Sequence, residues 1–279
     1  MWTLRFSPED RFRRERCTGC GTCRRVCPSG AVRLMDNRPV FDPGKCIGCA
    51  HCGIFCPENA FGLDPVADPD SMPSPKEYRT LLERRRSIRF YSDKVPSEDQ
   101  IKELVSVVDQ CPTGRNSQGI TVRAVRGFEC VEELFRPVRR VLDFLSPTGI
   151  PFLLGRITGM GDHMRRIREG EDLVFRGAPA VLFFFVPRGN VTGYADGVIA
   201  ATAVSLHGVS MGMGTLWNGV AQKLYPFFRS WHPSGTGGMR LAAVLCVGYP
   251  SVIPLRNPPP RSFELRIDEC DSPKEGSSC

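Results

Sequence analysis

Apolar residues after residue 75 follow two spacings, and each spacing predicts one type of element. Helical spacing follows two capping boxes, which begin at Ser74 and Ser97, and unbroken or alternating apolar runs indicate strands. The first predicted helix begins at Pro75, with Tyr78, Leu81 and Leu82 as its buried stripe, and the second follows Ser97, with Ile101, Leu104, Val105 and Val108 at helical spacing. Two further helices are predicted over Val131–Leu145 and Tyr194–Met211. The predicted strands are Ile120–Ala124, Ala180–Val186 and Leu241–Val247. Helices around a short buried sheet predict an α+β domain with a central mixed sheet flanked by helices.

The N-terminal part of the chain is organised by cysteines. One set of four recurs at an offset of 29 residues, and a proline follows the last cysteine of each set. This is the spacing of bacterial ferredoxins with two 4Fe-4S clusters, in which the cysteine before each proline crosses to the other cluster. The predicted ligand sets are Cys17, Cys20, Cys23 and Cys56 for the first cluster, and Cys46, Cys49, Cys52 and Cys27 for the second.

An internal repeat supports this interpretation without the cysteines. At the same offset of 29, Phe12 corresponds to Phe41, Gly19 to Gly48 and Ala31 to Ala60, as expected of a duplicated unit. Paired zinc sites and a disulfide framework are the alternatives. Zinc is usually bound by two separated Cys-x2-Cys pairs, which leaves the third cysteine and the Cys-Pro of each half unexplained.

Length and composition bound the remaining possibilities. The chain has 279 residues and a mass of 31.0 kDa, so about two domains are expected. Eight of its 13 cysteines are assigned to clusters and the others show no paired spacing, which favours a reducing cytoplasm. The N-terminus lacks the apolar run of a targeting segment. The uncharged span Gly197 to Gln222 predicts a core helix followed by a glycine-rich loop, because its helical part is too short to cross a membrane.

The formal charge of +7 bears on which partners the protein could bind. Around Arg84–Arg86 there is no aromatic platform or nucleic-acid motif, so we expect no nucleic-acid partner. Residues 1–65 carry ten Lys/Arg and seven Asp/Glu, and this positive excess favours docking of an acidic electron donor. The arginines expected to form the docking surface are Arg11, Arg13, Arg14, Arg24 and Arg25.

Four short motifs follow residue 84 in a fixed order. They are Arg85-Arg86-Ser87-x-Arg89, Pro112-Thr113-x-x-Asn116-x-Gln118, Gly212-x-Gly214-Thr215-x-Trp217, and Gly248-Tyr249-Pro250 with the later Arg256 and Arg261. Over residues 76–261 this pattern resembles FMN-dependent nitroreductases, with threonine at 113 where that family has serine. The whole chain resembles ferredoxin-fused nitroreductase-like proteins of anaerobic microbes. The implied organisation is a two-cluster domain over 1–64, a Pro/Asp-rich linker over 65–75, the FMN-binding domain over 76–261 and a tail over 262–279.

The resemblance implies a set of FMN contacts with a chemical rationale. Guanidinium groups bind the phosphate dianion through charge-assisted hydrogen bonds, the amides of Asn116 and Gln118 suit the edge of the isoalloxazine ring, and glycines admit close backbone approach. The predicted FMN-binding residues are Arg85, Arg86, Ser87, Arg89, Pro112, Thr113, Asn116, Gln118, Gly212, Gly214, Thr215, Arg256 and Arg261.

Each motif also has a simpler explanation when taken singly. Arg84–Arg86 alone would be a solvated helix end, and Trp217 alone would be a core residue. His207 and His163 are weak candidates for an acid, because a histidine in an uncharged helix is more often a hydrogen-bonded core residue. The segment 146–171, which contains His163, is the expected substrate-selecting region.

The sequence therefore predicts an iron-sulfur flavoenzyme. Electrons from a low-potential donor such as ferredoxin or flavodoxin would pass through two 4Fe-4S clusters to FMN and on to a nitro, quinone or activated-alkene acceptor. The resemblance implies a homodimer with FMN at the interface between the subunits. The alternative is a non-enzymatic electron carrier or redox sensor whose FMN has no organic substrate.

Overall fold

The computed structural model of the chain describes residues 6–66, 68–148, 165–167, 169–232, 237–259 and 262–267. The N-terminal cluster module consists of short elements. They are helix α1 (Pro8–Arg11), helix α2 (Thr22–Arg25), strand β1 (Val32–Met35), strand β2 (Arg38–Phe41) and helix α3 (His51–Ile54). Helices α2 and α3 lie 29 residues apart, and each follows a residue in the left-handed conformation, Gly21 with φ 76° and Ala50 with φ 59°. The duplication predicted from the sequence is thus present in the backbone.

A β-hairpin in this module was not predicted. Strands β1 and β2 pair antiparallel, and Met35 faces Arg38 across the turn. Both turn residues have positive φ, 48° at Asp36 and 58° at Asn37. An Asp-Asn pair between two short runs with alternating polarity is the signal that would have revealed the hairpin, since turns of this type need residues that tolerate left-handed backbone.

The C-terminal α+β domain follows the linker. Its helices are α4 (Pro75–Arg84), α5 (Glu98–Ser106), α6 (Phe128–Leu145), α7 (Gly193–Ser210) and α8 (Gly219–Leu224). Short 3-10 helices occupy Arg14–Arg16, Pro69–Ser71, Val107–Gln110, Gly114–Asn116, Ser146–Thr148, Tyr225–Phe227 and Arg229–Trp231. Both predicted capping boxes are formed, Ser74 with Glu77 and Ser97 with Gln100. Helix α6 is continuous through Pro137.

The domain is built on a four-stranded sheet of order β3-β4-β6-β5. The strands are β3 (Thr121–Arg126), β4 (Ala180–Pro187), β5 (Gly214–Trp217) and β6 (Met239–Gly248). All three strand pairs are antiparallel, and a parallel component enters through an isolated bridge between Ser87 and Thr215. The predicted α+β class is confirmed, while the mixed character of the sheet is limited to that bridge among the described residues.

Both faces of the sheet are covered. Alternate residues of β4 enter different cores: Val181, Phe183 and Phe185 pack with α6 and Trp231, whereas Leu182 and Phe184 pack with α5 and α7. A strand buried on both faces reads as an unbroken apolar run, as seen for Ala180–Val186. Burial of these large side chains is the main source of stability for this domain.

Two local predictions are wrong. Helix α4 has no fully buried residue, and Tyr78 and Leu82 are 50% and 43% exposed, because nothing in the described chain covers that face. The segment after α7 is not only a glycine-rich loop, since Gly214–Trp217 forms strand β5 at the edge of the sheet. No helix within the described ranges is both long enough and apolar enough to span a membrane.

Candidate cofactor sites

The first predicted ligand set surrounds one cavity in the N-terminal module. Cys17, Cys20 and Cys23 line it from their loop, and Cys56 lines it from the second half of the repeat. The other walls are largely apolar and are formed by residues such as Phe12, Leu34, Pro39, Ala60 and Phe61. A cubane cluster binds each cysteine through a different iron atom, so the four thiols must surround a space rather than meet at a point. This arrangement fits the predicted cluster, including its crossed cysteine.

The second predicted ligand set contains the buried Cys52, while its other three cysteines are partly exposed. Burial, followed by the nearby charges of Cys46 and Cys49, raises the pKa of Cys52 to about 12. A thiol of this kind becomes a thiolate ligand only when iron compensates its charge. By contrast, hydrogen bonding with the Thr22 hydroxyl lowers the pKa of the exposed Cys20. The described residues include no group of three or more His, Cys, Asp and Glu side chains arranged around a single metal ion.

Backbone amides point at several of the cysteine sulfurs. The amide of Ala31 donates to Cys27 Sγ at 3.2 Å, and at the offset of 29 the amide of Ala60 donates to Cys56 Sγ at 3.4 Å. The amide of Gly48 donates to Cys46 Sγ at 3.4 Å. Donors of this kind stabilise thiolate ligands and set cluster potentials. The two crossing cysteines thus have equivalent surroundings, which supports their equivalent predicted roles.

Several predicted FMN contacts lie together beside α4. Arg85, Arg86, Ser87 and Arg89 line an open pocket, in which Arg86 Nη2 donates to Asn257 Oδ1 at 3.1 Å. A second pocket shares Glu83, Arg86 and Asn257 with the first. It is further lined by Ile88, Gly212, Met213, Gly214, Pro250, Ile253, Pro254, Leu255 and Arg256. Clustered guanidinium groups next to an apolar wall fit a phosphate that carries a flat ring system. These adjoining spaces are called the arginine pocket below.

Strand β5 holds the arginine segment in place. The amide of Ile88 donates to the carbonyl oxygen of Thr215 at 3.0 Å. A Cβ atom at Gly214 would lie 2.3 Å from Ile88 Cγ1, so glycine is required for this packing. Gly214 is therefore needed for packing against Ile88, a role that the sequence did not reveal. Trp217, on the same strand, is 37% exposed and does not fit the alternative of a core residue.

The other FMN motif lies in a separate place. In the loop 112–118, Thr113 Oγ1 accepts from the amide of Gln118 at 3.0 Å, and both residues line a pocket next to α5. Asp196 in the first turn of α7 anchors the loop, because its buried carboxylate accepts from the amide of Gly114 at 3.1 Å. A Cβ atom at Gly114 would lie 1.9 Å from Thr192 Oγ1, so this approach also requires glycine.

The positioning role of Asp196 was missed by the sequence analysis. Its carboxylate also accepts from Asn190 Nδ2 at 2.9 Å and from Thr192 Oγ1 at 3.2 Å. Asn190 in turn donates to Ser117 Oγ at 2.9 Å. A single acidic residue in an otherwise apolar helix, preceded by Asn-Val-Thr, was the available signal, because a buried carboxylate needs several donors.

The two groups of predicted FMN residues are far apart within one chain. The loop 112–118 meets α7 at Asp196, whereas β5 meets α7 near Gly208, whose virtual Cβ lies 3.5 Å from Thr215 Cγ2. Twelve helical residues separate these points, which corresponds to about 18 Å. Within one chain, Thr113 and Gln118 thus line a pocket separate from the two pockets that the arginine motif lines.

Asn116 instead contacts the cluster module. Its Nδ2 donates to the carbonyl oxygen of Gly48 at 2.9 Å and to that of Ile47 at 3.2 Å. Both hydrogen bonds of this amide nitrogen thus go to carbonyl oxygens of the second cluster-binding loop. The expected contact of Asn116 with the flavin ring stays a prediction, and in this arrangement the amide nitrogen contacts the cluster module.

The predicted acid candidates gain no support. His207 Nδ1 lies 3.2 Å from the carbonyl oxygen of Leu104, as expected of a hydrogen-bonded core histidine, and the ring does not line the arginine pocket. His163, Arg261 and most of the 146–171 segment lie outside the described residues. Arg256 lines the arginine pocket, and the exposed C-terminal segment 252–259 follows the same surface.

Comparison with known sequences places the chain in a family. Residues 82–249, more than half of the chain, match the model of the nitroreductase family, and the chain belongs to that family. Residues 9–57 match the model of the 4Fe-4S dicluster domain. The cofactors expected from the sequence, FMN and two 4Fe-4S clusters, are those that these matches support. The chain matches no curated protein.

Solved structures agree with this assignment at the level of the fold. A nitroreductase with bound FMN from Bacteroides fragilis superposes with a TM-score of 0.54 at 17% identity, covering 69% of this chain and 99% of that protein. A second, from Desulfitobacterium hafniense, gives a TM-score of 0.52 at 19% identity and covers 71% and 100%. The two family-model matches, residues 9–57 and 82–249, lie within the predicted domain limits of 1–64 and 76–261, whose boundaries stay predictions.

Proposed function

We propose that this protein is an FMN-dependent oxidoreductase that takes electrons from a low-potential one-electron donor through its two 4Fe-4S clusters and passes them to a small organic acceptor. The observation that carries this proposal is the arginine pocket beside β5 in a nitroreductase-family domain that is joined to a module with eight cluster cysteines. Nitro, quinone and activated-alkene compounds are the proposed acceptors. FMN supplies the conversion between single electrons and electron pairs when it is bound.

Phosphate binding is the role that the arginine pocket suits. Arg85, Arg86, Arg89 and Arg256 present four guanidinium groups, and Arg86 is held by Asn257 on one side and by the Arg85 carbonyl oxygen, at 2.8 Å, on the other. Arg79 in the same pocket pairs with Glu83 at 3.2 Å, which offsets the acidic charge there. The chain thus offers a dianion several charge-assisted donors in a partly preorganised site.

We further propose a homodimer in which each flavin site is completed by the second copy. The separation of the arginine pocket from the loop 112–118 supports this, since a second copy would supply its own loop to a ligand held by the arginine pocket of the first. Exposed apolar side chains on α4 and in the C-terminal part of the chain also need a cover. They are Val252, Ile253, Leu255, Phe263, Leu265 and Ile267, each at least 65% exposed, with Tyr78 and Leu82 on α4. A second copy would bury them.

Mixed dimers test the shared site. One variant carries Arg86→Ala and Arg89→Ala, and the other carries Gly114→Ala, which displaces the loop through Thr192. Each homodimer should lose FMN. If the site is shared, refolded mixtures regain one intact site per mixed dimer, so FMN content rises to about half of the wild-type value in those dimers. If each site lies within one chain, the mixtures stay empty of flavin.

The choice of electron donor is tested on the intact chain. Anaerobic protein with both cofactors is mixed with a reduced ferredoxin or flavodoxin, or with NAD(P)H, and flavin bleaching is followed before any acceptor is added. Fast bleaching by the one-electron donor with slow bleaching by NAD(P)H is the expected result. Rapid reduction by NAD(P)H would contradict the proposed donor, and failure of a panel of nitro, quinone and alkene compounds to reoxidise the flavin would favour the electron-carrier alternative.

The eleven described cysteines are free, which fits a reducing compartment such as the cytoplasm.

A further inference from the structure

The two cluster-binding loops are related by the offset of 29 but have different neighbours. Gly19 of the first loop packs against its own module, where its virtual Cβ lies 2.6 Å from the carbonyl oxygen of Asn37 in the hairpin turn. At the equivalent position of the second loop, the carbonyl oxygen of Gly48 accepts a hydrogen bond from Asn116 of the flavin-binding domain at 2.9 Å. The second loop is therefore the one tied to the flavin-binding domain.

The Gly48 residue connects this contact to a cluster ligand. Its amide donates to Cys46 Sγ at 3.4 Å, and its carbonyl oxygen accepts from Asn116 Nδ2. Asn116 also donates to the neighbouring carbonyl oxygen of Ile47, which fixes the direction of its amide plane. A short path of covalent and hydrogen bonds thus runs from a cluster sulfur to the loop 112–118.

The donor in this contact is rigidly held. Gly114 is bonded to the buried Asp196, and Ser117 Oγ accepts from Asn190, so the loop is fixed on both sides of Asn116. Asn116 itself has φ 52°, a left-handed conformation that asparagine tolerates better than most residues. Its amide is presented to the cluster loop by the flavin-binding domain without further rearrangement.

We propose that Asn116 is a positioning residue that couples the second cluster, held by Cys46, Cys49, Cys52 and Cys27, to the flavin site, and that this cluster is the one that delivers electrons to FMN. The proposal deepens the proposed function and rests on it. Each transfer oxidises the cluster by one electron and reduces the flavin by one; two transfers, with protons from water, complete the reduction. The electrons come from the low-potential one-electron donor proposed above.

The shared site gives this coupling a direction. The loop 112–118 meets α7 about 18 Å along the helix from the point where β5 meets it, and in the proposed dimer this loop would border the flavin held by the arginine pocket of the second copy. The second cluster of one subunit therefore faces the flavin whose phosphate the other subunit binds. Asn116 is the contact that keeps the cluster loop at that place.

Asn116 also has an expected effect on the cluster itself. The Ile47 carbonyl oxygen, which accepts from Asn116 Nδ2 at 3.2 Å, belongs to the same peptide group as the Gly48 amide. The Asn116 contact therefore polarises that peptide group and strengthens its hydrogen bond to Cys46 Sγ. Hydrogen bonds to cluster sulfurs are among the determinants of the reduction potential. Loss of the Asn116 amide should therefore lower the potential of the second cluster and leave that of the first unchanged.

The test compares variants of the full chain loaded with both cofactors. Asn116→Gly removes the amide at a backbone conformation that glycine accepts, and Asn116→Asp keeps the size but replaces the donors by acceptors. Arg115→Gly is the matched control, since Arg115 also has φ 52°. Thr22→Val is the reciprocal variant, because Thr22 Oγ1 lies 3.4 Å from Cys20 Sγ of the first cluster.

Redox titration followed by electron paramagnetic resonance resolves the two clusters. We expect both Asn116 variants to shift one cluster signal to lower potential, Thr22→Val to shift the other, and Arg115→Gly to shift neither. Hydrogen exchange at residues 46–52 should become faster in the Asn116 variants, and flavin reduction by the one-electron donor, measured per bound FMN, should slow at least tenfold, with iron content unchanged. Unchanged potentials and exchange in Asn116→Gly, or a shift of the same signal as in Thr22→Val, would overturn the proposal.

The readouts separate this inference from the proposed function. If wild-type flavin is not reduced through the clusters at all, the proposed function fails, yet the cluster potentials and hydrogen exchange still report on the Asn116 contact. If wild-type reduction is fast and Asn116→Gly is as fast, the positioning role fails while the proposed function stands.

Discussion

Compared with the flavin-binding domain, the cluster module has a very small hydrophobic core. Its buried apolar residues among those described are Ala31, Val32, Cys52, Ala60 and Phe61. Three phenylalanines, Phe12, Phe41 and Phe61, pack with ring centroids 5.6 to 5.9 Å apart. In the flavin-binding domain, strand β4 alone has seven consecutive buried residues.

The difference shows two ways of stabilising a fold in one chain. A module of about sixty residues with so few buried side chains gains little from apolar burial, and metal ligation is the usual supplement at this size. The flavin-binding domain covers a sheet on both faces and needs no metal. We therefore expect the stability of the first region to depend on iron and that of the second to depend on packing.

Removal of iron should give the largest effect on this comparison. Without clusters, the buried thiol of Cys52 and its neighbours lose the charge that compensates their thiolates, and the cluster module should unfold as a unit. Calorimetry of the iron-free protein should show a single transition, from the flavin-binding domain, where the loaded protein shows an additional one. A cluster module that still melts cooperatively without iron would contradict this view.

A core truncation should act on the other region alone. Phe183 on β4 is fully buried and packs against Tyr225 and Trp231. Phe183→Ala should therefore destabilise the flavin-binding domain by about 3–5 kcal/mol. Phe144→Ala, at a residue that is 81% exposed on α6, is the matched control and should cost little. Urea unfolding followed by intrinsic fluorescence measures both. If the cluster absorbance of Phe183→Ala were lost at the same urea concentration as its fluorescence signal, the two regions would not unfold separately.

The sequence predicted the parts of the molecule that are governed by local rules. Capping boxes, the unbroken apolar run of β4 and the cysteine spacing each depend on residues close together in the chain. The roles of Gly114 and Gly214 were missed because they depend on Thr192 and Ile88, which are distant in sequence. The docking of Asn116 on Gly48 spans 68 positions and two domains, so no periodicity could have indicated it.

The buried stripe predicted for α4 failed for a related reason. Helical spacing shows which face of a helix is apolar but not whether the same chain covers it, and Tyr78 and Leu82 are exposed in the single chain. The division of the FMN motifs between two ends of α7 is likewise a property of the fold. Motif order along the chain carries no information about which copy supplies each contact.

Replacing either of two arginines should weaken FMN binding without changing the iron content. Charge-assisted hydrogen bonds contribute about 1.5–3 kcal/mol each, so Arg86→Ala and Arg89→Ala should each weaken FMN binding about 10- to 100-fold. Iron content should not change, because neither residue lies in the cluster module. Titration of flavin-free protein with FMN, followed by flavin fluorescence, gives the affinity. Arg139→Ala with Arg140→Ala, on exposed arginines of α6, is the control, and an equal loss of FMN affinity there would argue against the arginine pocket as the phosphate site.

The smallest expected effect concerns the surface on which an acidic donor docks. Arg11, Arg13, Arg14, Arg24 and Arg25 are all exposed, and Cys20 of the first cluster is exposed near the last two. Opposite charges accelerate encounter, and salt screens them over about 10 Å at 0.1 M ionic strength. Arg24→Gln with Arg25→Gln should therefore slow cluster reduction by ferredoxin about two- to tenfold at low salt and flatten its salt dependence. Stopped-flow absorbance of the clusters measures the rate, and Arg139→Gln with Arg140→Gln makes the same change of charge on the other domain. Equal slowing by both pairs would mean that overall charge rather than this surface steers the donor.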